Sequence, residues 1–242
     1  MEEETTSAYL DVLLPEYQVI NLAVSGWSVD QYYLYLRETI EKTNPRVVVV
    51  GVFAGNDFQV SARGYGWGHS KPLFKVEDDQ LVHTNPKLLS NNCIDQMAQS
   101  LLFRPFWRNK VFAQKVLKTI CRAEDLPVEE AEVSVEKLLD EIVSISRKSG
   151  ADIVFLLLPD INDFINVGDY HYRYLVSFYP FFRDLFREKG YDYIDVAELV
   201  GRDADAMQRD IFIDQDHYTP QGHKLLADAL YRHLKTRYLA TP

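Results

Sequence analysis

Two short runs of uninterrupted apolar residues constrain the fold of this 242-residue chain more than any other feature. They are RVVVVGVF over residues 46–53 and ADIVFLLLP over residues 151–159. Both have the length of a strand and neither alternates polar with apolar residues, so we expect each strand to be buried on both faces. Strands of this kind are typical of a parallel sheet that is covered by helices. Neither run approaches the ~18 residues that a membrane-spanning helix requires.

Segments with helical spacing alternate with strands along the chain. Residues 17–24 and 191–199 are predicted as further strands. Thr219 suits the N-cap of a last helix, with Pro220 at its first position. The alternation predicts a three-layer α/β/α fold around a parallel sheet. Apolar residues recur at helical intervals in four other segments: 5–14, 29–43, 127–149 and 173–189.

The segment from residue 59 to residue 126 interrupts this alternation and is predicted as an insertion in a single domain that spans residues 1–242. It contains a probable hairpin, with strands at 72–76 and 80–84, and mixed helix at 94–121. Long insertions of this kind are often functional. Two roles are open for its aromatic residues, a lid over a substrate or, as we favour, packing of the insertion onto the core: Tyr65, Trp67, Phe74, Phe103, Phe106 and Trp107.

Composition excludes several classes of function. The net charge of −10 argues against a nucleic-acid partner, because phosphate binding requires a basic face. Cys93 and Cys121 are expected to be buried thiols, since two cysteines do not make a disulfide framework, and one bridge between them is the alternative. The first residues, MEEETTSAYL, lack the basic and apolar regions of a secretion signal. As written the chain is expected in the cytoplasm, and a signal in a lost N-terminus would change that; the oligomeric state stays open.

The stretch FIDQDHYTPQGHKLLADAL, residues 212–230, carries the strongest chemical signal. It places Asp214 three positions before His217, just ahead of the last predicted helix. A histidine that acts as a general base needs its far nitrogen held by a carboxylate, which fixes the tautomer and stabilises the imidazolium. The alternative is a surface pair without a catalytic role. His223 is expected to pack or to support the pair, and the remaining histidines show no spacing typical of a metal site.

Two further candidates follow predicted strands, at the sheet edge where open parallel sheets bind ligands. Asn56 comes after the strand at 46–53, and its side-chain amide can donate to a developing oxyanion. An Asn-Asp pair also forms ordinary turns, which is the alternative for this position. Gly26 comes after residues 17–24 and can offer an unobstructed backbone N–H to the same oxyanion, or simply form a turn.

Together these stretches resemble the SGNH (GDSL-type) hydrolase family over nearly the whole chain. The similarity to its second, third and fifth blocks lies in VINLAVSGWSVDQ (19–31), GVFAGNDF (51–58) and DQDHYTPQGH (214–223). In addition, KPLFKVEDDQLVHTN (71–85) resembles an insertion of some bacterial members. The family's Gly-x-Asn-Asp reads Ala54-Gly55-Asn56-Asp57 here, so the glycine is shifted by one position.

The resemblance implies ester hydrolysis by a serine, without a cofactor or a metal. It makes His217 the general base and Asp214 its partner. Gly26 and Asn56 become the donors of the oxyanion hole. The implied substrate is a small-molecule or carbohydrate ester.

The family's nucleophile is missing from this sequence. In the family a Gly-Asp-Ser block follows the first strand, and no such block occurs here, whereas residues 1–14 look like the helix that comes after it. Ser7, Ser25 and Ser28 lack a G-x-S-x-G elbow, so we expect the chain as written to be inactive or nearly so. We expect a parent chain to carry the missing strand and serine. Without that strand, the two strands that flank its place pair directly or leave a gap of roughly 9–10 Å.

Alternatives remain beside the SGNH-type ester hydrolase. DHYTPQGH also resembles relatives involved in alginate acetylation, which implies a carbohydrate O-acetyl transferase or deacetylase. A descendant without catalysis would bind a ligand or a partner at the old cleft. A flavodoxin-like FMN protein is disfavoured, because no phosphate-binding loop of Ser, Thr and Gly follows the strands.

Overall fold

The computed structural model shows a mixed α/β protein with a parallel sheet of three strands, as predicted. The structure describes residues 4–66, 69–84, 125–160, 163, 178–200, 210–214 and 217–239. Contacts divide the chain into two compact units, Met1–Val24 with Asn44–Asn56 and Ser146–Pro242, and Ser25–Thr43 with Asp57–Ile145. No helix within the described ranges is long and apolar enough to cross a membrane. That the chain is a single domain stays a prediction.

The helices and strands follow the predicted alternation except at residues 17–24, where no strand forms. In chain order they are α1 (Thr6–Leu13), α2 (Val29–Thr43), β1 (Val47–Phe53), α3 (Asp57–Ser61), β2 (Tyr65–Gly66), β3 (His69–Ser70), β4 (Phe74–Glu77), β5 (Gln80–His83), α4 (Val128–Lys148), β6 (Asp152–Leu158), α5 (Tyr179–Lys189), β7 (Tyr193–Asp195), α6 (Val196–Val200) and α7 (Pro220–Arg237). The predicted mixed helix at 94–121, with Cys93 and Cys121, lies outside the described residues.

The sheet of the first unit confirms that the two apolar runs are neighbouring parallel strands, in the order β1-β6-β7. On one face of β6, Val154 and Leu156 belong to an apolar core shared with α1, α6 and α7. On the other face, Phe155 stacks on Phe186 of α5, with ring centroids 4.9 Å apart. Each buried side chain of this size contributes about 1.5–3 kcal/mol, so β6 anchors the unit.

The predicted strand at residues 17–24 is wrong. The segment forms no strand, and Val19 N donates to Asp11 Oδ1 at 3.1 Å. Ala23 N likewise donates to Asn21 Oδ1 at 3.0 Å, so nearby side chains take the place of a ladder partner. The segment therefore does not pair directly with β1. Tyr17 and Val19 pack partly buried against the core, whereas three other apolar side chains are exposed: Ile20, Leu22 and Val24.

β1 lies at the edge of the sheet, and among the described strands only β6 pairs with it. Just beyond the end of β1, Ala54 N donates to Leu158 O at 2.9 Å. The N–H and C=O groups of a strand residue point to the same side, and this side alternates along the strand. The N–H and C=O groups of the even-numbered residues of β1 therefore point towards β6. The peptide groups of Val47, Val49 and Gly51 therefore face the open edge. Val49 also leaves 38% of its surface exposed. A long, apolar and uncovered edge strand is unusual in a folded protein.

The predicted strand at residues 191–199 is shorter than expected. β7 ends at Asp195, whose Oδ1 accepts hydrogen bonds from Ala197 N at 3.0 Å and Glu198 N at 3.3 Å. This carboxylate caps α6, so the apolar residues after Asp195 belong to a helix.

The second unit contains the predicted hairpin, which is confirmed. β4 and β5 pair antiparallel around Asp78 and Asp79, whose φ angles of 49° and 60° suit a tight two-residue turn. Nearby, the buried Lys71 ammonium pairs with the Asp30 carboxylate and donates to Val60 O at 3.0 Å. This ion pair ties the start of α2 to the insertion within the unit.

Candidate functional site

The loop before α7 is a tightly closed structure that holds both residues of the Asp-x-x-His motif. Ile213 N donates to His217 O at 2.8 Å, and Thr219 N donates to Ile211 O at 2.7 Å. Gly222 approaches the loop so closely that a Cβ there would lie 2.5 Å from Ile211 O. The predicted cap is confirmed, since Thr219 Oγ1 accepts from Gly222 N at 3.0 Å. The first turn of α7 is therefore fixed against the loop.

His217 and Asp214 form the predicted pair. His217 Nδ1 lies 2.9 Å from both Oδ1 and Oδ2 of Asp214, and His217 N also donates to Oδ1 at 2.9 Å. A carboxylate can only accept, so the proton of the neutral imidazole lies on Nδ1 and Nε2 carries a lone pair. The two side chains are 71% and 54% exposed, which leaves this base open to a reactant.

The pair borders a cleft at the carboxyl ends of β1 and β6. Phe53 and Leu158, the last residues of these strands, line it together with Ile213, Tyr218 and His223. The Tyr218 hydroxyl points away to a backbone carbonyl, that of Pro159, at 3.4 Å. Mostly apolar walls with a few placed polar atoms are typical of sites that bind small molecules.

Asn56 lies in the first unit, in the turn that follows β1, as predicted. The shifted glycine before it has a steric reason. A Cβ on Gly55 would lie 2.7 Å from ring atoms of Phe53 and 3.2 Å from Asp160 Oδ2. A larger residue at position 55 would therefore require the Phe53 ring to move, whereas the buried Ala54 fits the position where the family has its glycine.

Gly26 lies in the second unit, where its φ of 79° is the left-handed conformation that favours glycine. The turn at Gly26, which was one of the two interpretations of this residue in the sequence, is therefore confirmed. Its role as an oxyanion donor, and its convergence with Asn56 and His217, stay predictions.

Two of the serines considered as substitute nucleophiles have local hydroxyl partners. Ser28 is fully buried and donates to Asp30 Oδ1 at 2.8 Å. Ser7 Oγ lies 3.0 Å from Thr5 Oγ1. Neither of these partners is a histidine, and that no serine of this chain replaces the missing nucleophile stays a prediction.

His223 is the residue that sequence reasoning undervalued. Its ring lines the cleft, and its Nδ1 lies 2.9 Å from Thr6 Oγ1 at the start of α1. Burial lowers the pKa of this imidazole, which favours its neutral form. The sequence did offer a signal for His223, which is the second histidine of DQDHYTPQGH. It lies in the first turns of α7, directly after the loop that carries His217.

The aromatic residues of the insertion that the structure describes support packing rather than a lid. Tyr65 and Phe74 are both buried. Phe74 stacks on His83 with ring centroids 4.8 Å apart and meets Tyr33 edge-on at 5.6 Å. Four residues of the predicted set lie outside the described residues: Trp67, Phe103, Phe106 and Trp107.

The geometry of the site can hold an imidazole as a general base beside an apolar cleft, and this is its main chemical capacity. Comparisons of the chain with protein-family models, with curated proteins and with solved structures found no match. The function must therefore be inferred from the residues of the cleft and from the motifs of the sequence.

Proposed function

We propose that this chain is the base-bearing part of an SGNH-type ester hydrolase with a three-layer α/β/α fold. The observation that carries the proposal is the contact of His217 Nδ1 with both carboxylate oxygens of Asp214, at 2.9 Å, beside the cleft. An exposed imidazole that is held on its far nitrogen can take a proton from a hydroxyl nucleophile. Its place at the carboxyl ends of two parallel strands also supports a site for a ligand.

In the proposed mechanism a serine hydroxyl attacks the ester carbonyl carbon and passes its proton to His217 Nε2. The new C–O bond gives a tetrahedral oxyanion, for which the Gly26 N–H and the Asn56 amide are the proposed donors. Collapse of this intermediate breaks the bond to the alcohol, which leaves with the proton from His217. Water then attacks the acyl-serine by the same route and releases the carboxylic acid. The steps require no metal or cofactor.

The proposed serine comes from a strand that belongs beside β1. Two observations support that placement. The peptide groups of Val47, Val49 and Gly51 face an edge without a described partner, and Val49 is exposed. Ile20, Leu22 and Val24 of the segment 17–24 are exposed as well, although an additional strand would cover them. In the family's strand order the nucleophile strand lies between these two segments.

The test compares this chain with a longer one. The genomic DNA directly upstream of the Met1 codon is read in the same frame, and the extended protein is expressed beside the 242-residue chain. We expect a Gly-Asp-Ser sequence in the extension and hydrolysis of p-nitrophenyl acetate. In the extended protein, His217→Ala is expected to lower kcat by a factor of about 10³ or more. His233→Gln is the matched control, since His233 lies at the other end of the sheet, and kcat should not change.

A stop codon in that frame without a Gly-Asp-Ser sequence would contradict the proposal. So would hydrolysis that persists unchanged in the His217→Ala variant. A folded, extended protein that hydrolyses no ester would favour the descendant that binds a ligand without catalysis.

A further inference from the structure

The cleft contains two imidazoles whose partners differ in chemistry. His217 Nδ1 faces the Asp214 carboxylate, whereas His223 Nδ1 faces the Thr6 hydroxyl at 2.9 Å. In both rings Nε2 has no hydrogen-bond partner among the described residues. The proposed mechanism uses one of these nitrogens and leaves that of His223 without a role.

Both imidazoles are mounted on one rigid piece of structure. The bonds of Ile213 N to His217 O and of Thr219 N to Ile211 O close the loop, and His223 N donates to Thr219 O at 2.9 Å in the first turn of α7. The helix cannot shift away from the loop without opening the close contact at Gly222. Both histidines line the cleft, and these backbone bonds connect the elements that carry them, as a preorganised site requires.

The partner of each ring decides what its Nε2 can do. A carboxylate only accepts hydrogen bonds, so Asp214 confines His217 to the tautomer whose Nε2 is an acceptor. The Thr6 hydroxyl rotates and can either donate or accept, so His223 can present Nε2 as a donor or as an acceptor. Because burial lowers its pKa, the His223 ring is neutral at pH 7 and both options are available. A hydroxyl group of a ligand can also donate or accept a hydrogen bond, so it can pair with His223 Nε2 in either tautomer.

The residues that line the cleft suit different parts of an ester. Phe53, Leu158 and Ile213 are apolar and suit the acyl group. The proposed chemistry directs His217 Nε2 at the nucleophile and the leaving oxygen. His223 Nε2 is therefore the nitrogen that is available to bind a polar group of the substrate.

We propose that His223 hydrogen-bonds through Nε2 to a free hydroxyl on the alcohol side of the ester, so that the site selects esters of polyhydroxy alcohols such as glycerol or a sugar. The inference rests on the proposed function in that the ligand is an ester. Thr6 is a positioning residue, which holds the ring by its other nitrogen.

The test measures binding with two esters that share an acyl group and a three-carbon alcohol. Glycerol monobutyrate carries two free hydroxyls and propyl butyrate carries none. Dissociation constants are measured from the shifts of histidine side-chain signals in NMR spectra of the 242-residue chain. We expect glycerol monobutyrate to bind about 2- to 10-fold more tightly, the gain from one net hydrogen bond.

Variants of His223 separate a ligand contact from a structural role. His223→Phe keeps a ring in the cleft and should remove the preference, while the affinity for propyl butyrate stays the same. His223→Gln keeps a donor and an acceptor and should retain part of the preference. Thr6→Val leaves the ring in place without its hydroxyl partner and should weaken the preference, which provides the test if His223→Phe does not fold.

Equal affinity of the wild type for both esters, or binding of neither, would overturn the inference. A preference that survives intact in His223→Phe, or in Thr6→Val where the former does not fold, would overturn it too. None of these measurements requires turnover. A chain that prefers glycerol monobutyrate while its extended form hydrolyses no ester would contradict the proposed hydrolase and still support the role of His223.

Discussion

Two histidine–aspartate pairs lie at opposite ends of the sheet of the first unit, and their surroundings differ. At the carboxyl ends of β1 and β6, His217 and Asp214 are 71% and 54% exposed beside the cleft. At the amino end of β7, His233 Nε2 lies 2.7 Å from Asp192 Oδ2, and the two side chains are 18% and 17% exposed. The same two residue types therefore form one open pair and one enclosed pair.

The enclosed pair is part of a network in which both carboxylate oxygens of Asp192 accept hydrogen bonds. Asp192 also accepts hydrogen bonds from Arg237 Nη1, at 2.5 Å, and from the Tyr238 hydroxyl. The backbone carbonyl of Tyr238 in turn accepts from Arg46 Nη2 at 2.7 Å. This network fastens the end of α7 to the amino end of the sheet. The His233–Asp192 contact therefore stabilises the structure, whereas the His217–Asp214 contact holds a candidate base. The difference is that His233 uses its Nε2 to bind Asp192, while the Nε2 of His217 has no partner among the described residues.

The largest expected effect is on stability. Asp192→Ala should lower the free energy of unfolding by about 2–4 kcal/mol, because three donors in a mostly enclosed site lose a charged acceptor. Asp214→Ala should cost less than about 1 kcal/mol, since exposed ion pairs contribute little. Urea denaturation of the two variants and the wild type measures both values. Equal losses in the two variants would remove the distinction between a stabilising contact and a candidate base.

Chemical modification should separate the two histidines next. Diethylpyrocarbonate acylates unprotonated imidazole nitrogens, and the exposed His217 offers one at Nε2. His233 donates through Nε2 to Asp192, so its unprotonated nitrogen is Nδ1, and this side chain is only 18% exposed. We expect His217 to be modified at least about tenfold faster. Peptide mapping by mass spectrometry over a time course gives the two rates, and similar rates would show that the network does not enclose His233.

A smaller effect is expected from Tyr238→Phe, about 1 kcal/mol for the loss of one hydrogen bond. Burial and the hydrogen bond to Asp192 hold the pKa of the Tyr238 phenol well above its ordinary value of 10. Above pH 10 the unfolded chain releases this proton while the folded chain keeps it, so stability falls with rising pH. The variant should therefore lose less stability than the wild type between pH 9 and pH 11, as measured by urea denaturation at each pH. An identical pH dependence would contradict the enclosure of this phenol.

Much of the fold could be predicted from the sequence, because the uninterrupted apolar runs at 46–53 and 151–159 are typical of strands in a parallel sheet. β6 is buried on both faces, as expected. The same expectation is wrong for β1, since the face that carries Val47, Val49 and Phe53 is only partly buried. Residues 17–24 were also predicted as a strand but form none, since the N–H groups of Val19 and Ala23 bond to nearby side chains and not to a neighbouring strand. The shortening of β7 depends on the side chain of Asp195, which caps a helix inside an apolar run. The strand propensity of the residues does not reveal whether the chain continues the strand after Asp195 or begins a helix there.

The candidate site was predictable only where its residues are close in sequence. Asp214 and His217 lie three positions apart on one loop, so their spacing was sufficient to predict the pair. The contact of Thr6 with His223 joins residues 217 positions apart, and that of Asp192 with His233 joins residues 41 positions apart. Contacts at such separations follow from the packing of α1 and α7 on the sheet, which the residue pattern does not specify.

The smallest expected effect concerns His223, which is intermediate between the two pairs because its ring is half-buried and its partner is neutral. Burial holds the pKa of His223 below its ordinary value of 6.5. As the pH falls below 6.5, the unfolded chain binds a proton that the folded chain refuses, so the stability present above that pH is progressively lost. His223→Gln should therefore make the free energy of unfolding less dependent on pH between pH 7 and pH 5, relative to the wild type. Urea denaturation across that range measures the slopes. A slope that His223→Gln leaves unchanged would contradict the lowered pKa of His223.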